Sequence, residues 1–486
     1  MIPHPHAWRS HAQRWAVGAA IALLGGGAAR AQTAAAVTTP AVPVAPVPVP
    51  GVDLPPPAPA PTVAASALDT VGVTASFYGF VELDLMHDST QSFSEAIVNN
   101  TMARPATLAG DNPRTQFTAR DSRVGVRLAA PDHGGIRTSA LVEADFFGNQ
   151  APNATEDATY SAAAVRLRQA FVKFETPVFD VVAGHTHDLF GWGGAGFYPN
   201  TVAFLGVPGE IYHRDPQLRL TKTLGGPSVS VEIAVAAVRP AQRDGEIPDG
   251  QGGLRVAFNR WLGASAQGAG LAAAAPASLG VSGIYRHFAV PAFTAAAANT
   301  NKANAWGAAA NLFLPIIPAR RDDLGNTLSA TAEATMGTGI ANLYTGLTGG
   351  VLFPALPNPT MLLPVPTYNP DIDEGLVTYD AAGKLHTVNW RALVVGLQYR
   401  APFAKGRKLG VSAVASQIES TNVDQLTPTQ GLPYVFSKAQ YADGSVFFAP
   451  TPESQVGASV QLERQTFGDG VYGINVRGEL AVYYFF

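Results

Sequence analysis

The residues best suited to act on a solute are the arginines. Arg114, Arg120, Arg123, Arg127, Arg137, Arg166, Arg168, Arg214 and Arg219 crowd the first half of the chain. A guanidinium stays charged at every physiological pH and grips carboxylates bidentately, so a row of them along a passage attracts anions. Carboxylates share the neighbourhood, at Glu82, Asp84, Glu143 and Asp145. Two readings therefore stand side by side: a basic ladder open to passing anions, and arginine–carboxylate pairs that fix a protein wall. Other chemistry finds little support. His185-Thr186-His187 puts two imidazoles on one strand face, but no spacing supplies the further ligands a metal needs, so solvated lumen or rim histidines are expected. Gly191–Gly196 matches G-x-G-x-x-G, yet Phe197-Tyr198-Pro199-Asn200 follows where a dinucleotide site requires a helix. Neither G-x-S-x-G nor H-E-x-x-H occurs, so no enzyme, cofactor or metal site is expected.

What would position the arginines is a period of two. Thr74–Asp88 alternates Phe77, Gly79, Val81, Leu83 and Leu85 against Tyr78, Phe80, Glu82, Asp84 and Met86. Asp121–Ala130, Arg137–Phe147, Val165–Glu175, Val178–Asp188, Pro216–Thr223, Ser228–Arg239 and Gly252–Leu262 continue the pattern. Ser278–Phe288, Ala303–Leu314, Thr327–Gly337, Thr387–Arg400, Lys408–Glu419, Ser437–Ala449, Glu453–Thr466 and Ile474–Phe486 complete it. Alternation of this kind marks strands with two unlike faces. The sixteen segments form an even set, and short connections alternate with long ones, as in single-chain outer-membrane β-barrels. Gly263–Ala277 is too long for a turn at the short-connection end and does not fit.

In such a barrel Arg123, Arg127, Arg137, Arg166, Arg168 and Arg219 all fall on polar faces. Turned toward lipid, each would cost about 2–4 kcal/mol at the bilayer midplane. They are therefore expected to line the lumen, together with His185, Glu143 and Asp145. Leu189–Asp215 is the candidate constriction: rich in Gly and aromatics, and placed to bring Trp192, Phe197, Tyr198 and Arg214 beside the passage. In the last strand, Val476, Leu480, Val482, Tyr484 and Phe486 would face lipid and Arg477 and Glu479 water. Tyr484 and Phe486 would sit in the aromatic girdle, with Phe486 ending the strand that closes on Thr74–Asp88.

Composition agrees. There are no cysteines in 486 residues, and a large closed sheet needs no disulfides. A net charge of −4 argues against a nucleic-acid partner. Trp261–Tyr285 and Ala334–Pro370 are uncharged, but Gly, Ser and Pro interrupt them, so neither reads as a membrane helix. Residues 1–31 read as a cleavable Sec-type signal peptide: a basic start, an apolar run and Ala29-Arg30-Ala31. Residues 32–73 read as a Pro/Ala-rich periplasmic spacer, and 74–486 as the barrel.

Phe77-Tyr78-Gly79-Phe80-Val81-Glu82-Leu83-Asp84 and Asp121-Ser122-Arg123-Val124-Gly125 resemble the opening of general and DcaP-like porins. Leu167-Arg168-Gln169-Ala170-Phe171, Val182-Ala183-Gly184-His185-Thr186 and Gly206-Val207-Pro208-Gly209 followed by Arg214-Asp215-Pro216-Gln217-Leu218-Arg219 are similar to the DcaP-like branch. The resemblance implies a sixteen-stranded trimeric channel favouring small anions such as dicarboxylates, with the terminal Phe read by barrel-assembly machinery. His185 stands where that family commonly carries Gln, and the Pro-rich spacer replaces a helical segment some members carry. Together these readings lead us to expect an outer-membrane porin for passive diffusion, probed against a non-conducting barrel that binds at the cell surface.

Overall fold

The computed structural model describes residues 72–95, 102–148, 164–193, 201–203, 207–243, 245–265, 273–292, 298–320, 323–345, 372–380, 382–402, 408–427 and 429–486. The chain divides into two units, Met1–Pro50 and Gly51–Phe486, and every described residue belongs to the second. The signal segment, nearly all of the spacer and most of Ala334–Pro370 therefore lie outside the described residues.

The first half of the sheet is β1 (Thr74–Asp88), β2 (Arg114–Thr118), β3 (Arg123–Ala129), β4 (Arg137–Asp145), β5 (Arg166–Glu175), β6 (Asp180–His187), β7 (Arg214–Gly225), β8 (Val229–Val238) and β9 (Asp249–Ser265). The second is β10 (Ala273–Pro291), β11 (Thr300–Ile317), β12 (Thr327–Thr338), β15 (Asn389–Arg400), β16 (Lys408–Ser420), β17 (Phe436–Thr451), β18 (Ser454–Phe467) and β19 (Tyr472–Phe485). A small separate hairpin, β13 (Val377–Tyr379) with β14 (Leu385–Thr387), interrupts the series. All seventeen wall strands pair antiparallel in one sheet. Because β2 and β3 both pair with β1, they share one place, and the wall is a closed sixteen-stranded barrel.

Closure is made by β1 and β19, in register from Phe80↔Phe485 to Asp88↔Arg477. Gly79 and Phe486 extend it by exchanging two backbone hydrogen bonds of 3.0 and 3.1 Å. A closed sheet leaves no backbone edge, which is the condition for a strand to cross hydrocarbon. The outward row of β19 exposes Ile474, Val476, Val482 and Tyr484, while Arg477, Glu479, Tyr483 and Phe485 are buried inward. The same division runs round the wall: Phe77, Val81, Leu83, Leu218, Leu220, Leu279, Val281, Leu393 and Val460 are exposed. An apolar band of that extent is a surface made for lipid.

Short connections lie at one end. Between β3 and β4 the tight turn uses Gly134 and Gly135 at φ of 68° and 87°, where a Cβ would be strained, and Asp132 Oδ1 accepts from the Gly135 N–H at 2.7 Å. The misfit at Gly263–Ala277 resolves because the strands are longer than the alternation indicates. β9 runs on to Ser265 and β10 begins at Ala273, with a register shift at Pro276/Ala277. Proline and small residues there hide the period of two without ending the strand.

Candidate functional site

The charged arc of the lumen is built by β3 to β7. Arg123 and Arg127 are inward residues of β3, Glu143 and Asp145 of β4, and Arg166 and Arg168 of β5. A register shift at Glu143/Ala144 leaves Arg168 without an opposite number, so Arg168 and Gln169 both turn inward, each 1% exposed. The Arg168 guanidinium donates from Nε to Glu143 Oε1 at 3.0 Å, from Nη1 to Asp145 Oδ2 at 2.8 Å and from Nη2 to the Tyr212 hydroxyl at 2.8 Å. Arg166 grips Asp145 through Nε and Nη2 at 3.0 and 2.6 Å. The Tyr78 hydroxyl donates to Glu143 Oε2 at 2.9 Å, and Arg123 lies 3.9 Å from Glu143 Oε1.

Wall pairing thus accounts for Arg166 and Arg168. It also accounts for Arg137, which meets Glu175 at 3.3 Å beside Lys173, itself 3.0 Å from Glu175 and 3.2 Å from Asp180. Arg219 donates to Gln217 Oε1 at 3.0 Å and to the His187 carbonyl. Arg477 pairs with Asp88 through two 2.9 Å bonds rather than with Glu479, which accepts from Gln461. Two arginines stand apart. Arg127 lies over the Tyr78 ring at 4.1 Å and Arg214 over the Tyr212 ring at 5.3 Å. Arg127 Nε and Arg214 Nη1 have no hydrogen-bond partner, and neither side chain forms an ion pair among the described residues. The cluster therefore sets five guanidiniums, of Arg123, Arg127, Arg166, Arg168 and Arg214, against the carboxylates of Glu143 and Asp145.

His185 corrects an expectation. It pairs opposite Ala170 and Pro216, on the row of Ala183 and exposed Leu218, whereas Val182 and Thr186 make the lumen row. His185 therefore belongs to the outward row, and a strand reading that counted only polarity placed it wrongly.

The connection after β6 folds into the barrel. The Leu189 and Phe190 N–H groups donate to Gln251 Oε1 of β9 at 2.7 and 2.8 Å, and the Gly191 N–H to Ser282 Oγ of β10 at 2.9 Å. The Thr201 hydroxyl donates to Asp443 Oδ2 of β17 at 2.9 Å and the Ile211 N–H to Glu333 Oε1 of β12 at 2.7 Å. Inward side chains of four wall strands thus hold the described parts of this connection inside the barrel. Trp192 is 1% exposed and lies under Arg255, 4.5 Å from ring to guanidinium. It is an anchor packed on the wall, not a ring bordering open passage. Phe197 and Tyr198 lie outside the described residues.

His213 closes the segment. Its Nδ1 sits 3.4 Å from Asp188 and 3.2 Å from Asp215. Burial works against its charge, but the two carboxylates beside it outweigh that and raise its pKa to about 10. Burial of Asp188 is likewise outweighed by His213, which holds the carboxyl below its usual range. The three residues have metal-ligand spacing. A protonated imidazole already fills the place a cation would take, so the group is an ionic clasp. A second group with such spacing, Glu82, Asp84 and Asp121, has no basic partner of this kind.

Residues absent from the sequence reading matter as well. Arg255 pairs with Glu232 at 2.5 Å and donates to the Gly193 carbonyl at 2.6 Å. Arg286 meets Asp249 at 2.9 Å and Asn342 Oδ1 at 2.7 Å, tying in the segment after β12. The signal of Arg286 was a lone arginine in a strand with no other Asp, Glu, Lys or Arg, whereas Arg255 shares its strand with Asp249 and Arg260.

No known family profile and no curated protein matches the chain. Among solved structures, the outer membrane channel DcaP of Acinetobacter baumannii is similar, with 16% identity over 87% of this chain and 99% of that one and a TM-score of 0.58. An anion-selective porin from Comamonas acidovorans has 10% identity over 85% of this chain and 100% of that one, TM-score 0.44. OprB of Pseudomonas putida has 11% identity over 86% and 95%, TM-score 0.42. The DcaP likeness shows a shared fold, and there the resemblance read in the sequence is met; the other two scores are too low to add to it.

Proposed function

We propose that the protein is an outer-membrane porin through which small hydrophilic solutes diffuse passively, with a preference for anions of the dicarboxylate kind. The observation that carries the preference is the excess of guanidinium over carboxylate in the charged arc, with Arg127 and Arg214 held on aromatic rings and left without acids. A cation stacked on a ring has no wall acid to neutralise it, so its charge adds to the positive potential that attracts an anion. The described residues of the connection between β6 and β7 help set the size limit, because they are fastened to the wall by hydrogen bonds and apolar contacts. The apolar outer band and the closed sheet support an outer-membrane location, with barrel-assembly machinery as a transient partner. A homotrimer is the assembly implied by the family resemblance. The closed barrel with its inward charged arc leads us to read a channel rather than an enzyme.

A non-conducting surface-binding barrel is the competing reading, motivated by the apolar packing of Phe190, Ile211, Ile340 and Leu343 inside the barrel. Single-channel recording in planar bilayers separates the two. Steps of defined conductance after insertion are expected; stable insertion without conductance would reject the porin.

A further inference from the structure

Glu82, Asp84 and Asp121 present carboxylate oxygens that all lie within 4.8 Å of one another, and each residue is at most 2% exposed. Glu82 and Asp84 are successive inward residues of β1. Asp121 comes from the break between β2 and β3, and that break has a clear place in the register. β1 pairs with β2 from Asp84 to Asp88 and with β3 from Thr74 to Phe80, so Val81–Leu83 face residues 119–122 instead of a ladder. Ser122 fastens the break: its hydroxyl accepts from the Glu82 N–H at 3.0 Å. On the other side, β19 sets Tyr483 opposite Glu82 and Ala481 opposite Asp84. The cluster therefore straddles the seam where the first and last strands close the barrel.

Three buried carboxylates this close repel one another strongly unless protons or a cation sit among them. Among the described residues none of the three forms an ion pair. Arg123 is engaged elsewhere, 3.9 Å from Glu143 and 5.1 Å from the centre of the Phe80 ring, and Glu479 adds another acid to the same inward face. Both Asp84 oxygens, Glu82 Oε2 and Asp121 Oδ1 are buried without a hydrogen-bond partner. An independent observation points the same way. The Tyr483 hydroxyl, on a residue 1% exposed, also lacks a partner of hydrogen-bond geometry. Its ring is clamped edge-on to Phe80 at 6.3 Å and stacked on Phe485 at 6.0 Å, which fixes the hydroxyl beside Glu82.

We propose that Glu82, Asp84 and Asp121 bind a hard divalent cation of the calcium type, with the Tyr483 hydroxyl beside it, and that the ion staples the barrel seam. Carboxylate oxygens are the ligands such ions choose, and three carboxylates offer the flexible, oxygen-rich shell that calcium accepts more readily than magnesium. Ala481, opposite Asp84, brings no charge that would compete with an ion. Since the ligands come from β1, β19 and the β2–β3 break, they meet only in the closed barrel, so cation binding is linked to closure.

The test uses the full mature chain, purified in detergent and stripped with EDTA. Calcium titrated calorimetrically should bind at one site per chain in this cluster, and millimolar calcium should raise the melting temperature above that in EDTA. Asp84→Asn and Asp121→Asn should abolish both effects. Tyr483→Phe, which keeps the ring packing, should fold and weaken calcium binding about ten- to a hundredfold, the range for losing a group around a metal. If Asp84→Asn fails to fold, Asp121→Asn and Tyr483→Phe still decide. A wild-type protein that melts alike in calcium and EDTA, or variants that keep the full calcium effect, would overturn the proposal.

Discussion

The arc from β3 to β7 and the arc from β10 to β17 are made from the same alternating strands, yet their inward rows do opposite things. The first carries Arg123, Arg127, Glu143, Asp145, Arg166 and Arg168, held by ion pairs and rings. The second carries Ile284, Phe288, Trp390, Val414, Ile418 and Phe436, which pack with Phe190, Ile211, Ile340 and Leu343 of the inward segments. One arc keeps its charges facing the lumen; the other buries the segments that narrow it. A barrel wall is thus a neutral frame, and function follows from which inward residues each strand presents.

Breaking either arc should cost about the same and do different damage. Arg168→Ala leaves Glu143 and Asp145 short of their buried partner and should destabilise the barrel by about 3–5 kcal/mol. Trp390→Ala removes a ring packed on Phe436 at 5.7 Å and donating to the Gly375 carbonyl at 3.0 Å, and should also cost about 3–5 kcal/mol. Denaturant titration of the folded barrel measures both. Trp390→Ala should also enlarge the unitary conductance, because it loosens the apolar packing of the segments inside, whereas Arg168→Ala removes a single hydrogen bond to Tyr212 and should enlarge it less.

Much of this frame was legible in the sequence. All sixteen wall places coincide with alternating segments, including Ser437–Ala449, because a strand with one face on lipid cannot hide its period of two. Three things were not legible. The extra inward residue at Arg168 comes from a register shift, which shifts the parity of Lys173 and hides it from a strict count. His185 carries a polar side chain on the outward row, so polarity alone misleads there. The partner of Arg477 is Asp88, nearly four hundred positions away, and only closure brings the two together. Composition pointed to Leu189–Asp215 as a constriction, but the anchors of its described residues on Gln251, Ser282, Glu333 and Asp443 are pairings across the barrel that no local pattern encodes.

A smaller lesion sharpens the contrast. Glu333→Ala leaves the Ile211 N–H and Asn311 side chain without their acceptor and should cost about 1–3 kcal/mol. Its visible effect should be flickering of the single-channel current as the segment detaches, and steady current would show that the apolar contacts suffice.

The ionic clasp gives a pH dependence of known sign. His213 is raised above its unfolded value of about 6.5, so its stabilisation is complete below that pH and is lost as pH rises toward about 10. Asp188 is lowered, so its share is present above about pH 3.9 and is lost as pH falls through the depressed value. The segment should be quietest near neutrality and noisier at both extremes, and His213→Gln should remove the alkaline limb. Current noise recorded across pH checks both.

Arg127→Ser combined with Arg214→Ser should change stability least, by under about 1 kcal/mol, since neither makes an ion pair. The same pair tests the central claim most directly, through the reversal potential of the channel under a KCl gradient. Wild-type protein should show chloride passing more readily than potassium, and the double variant should move the potential toward zero. A cation-favouring wild type, or a double variant whose potential does not move, would contradict the account.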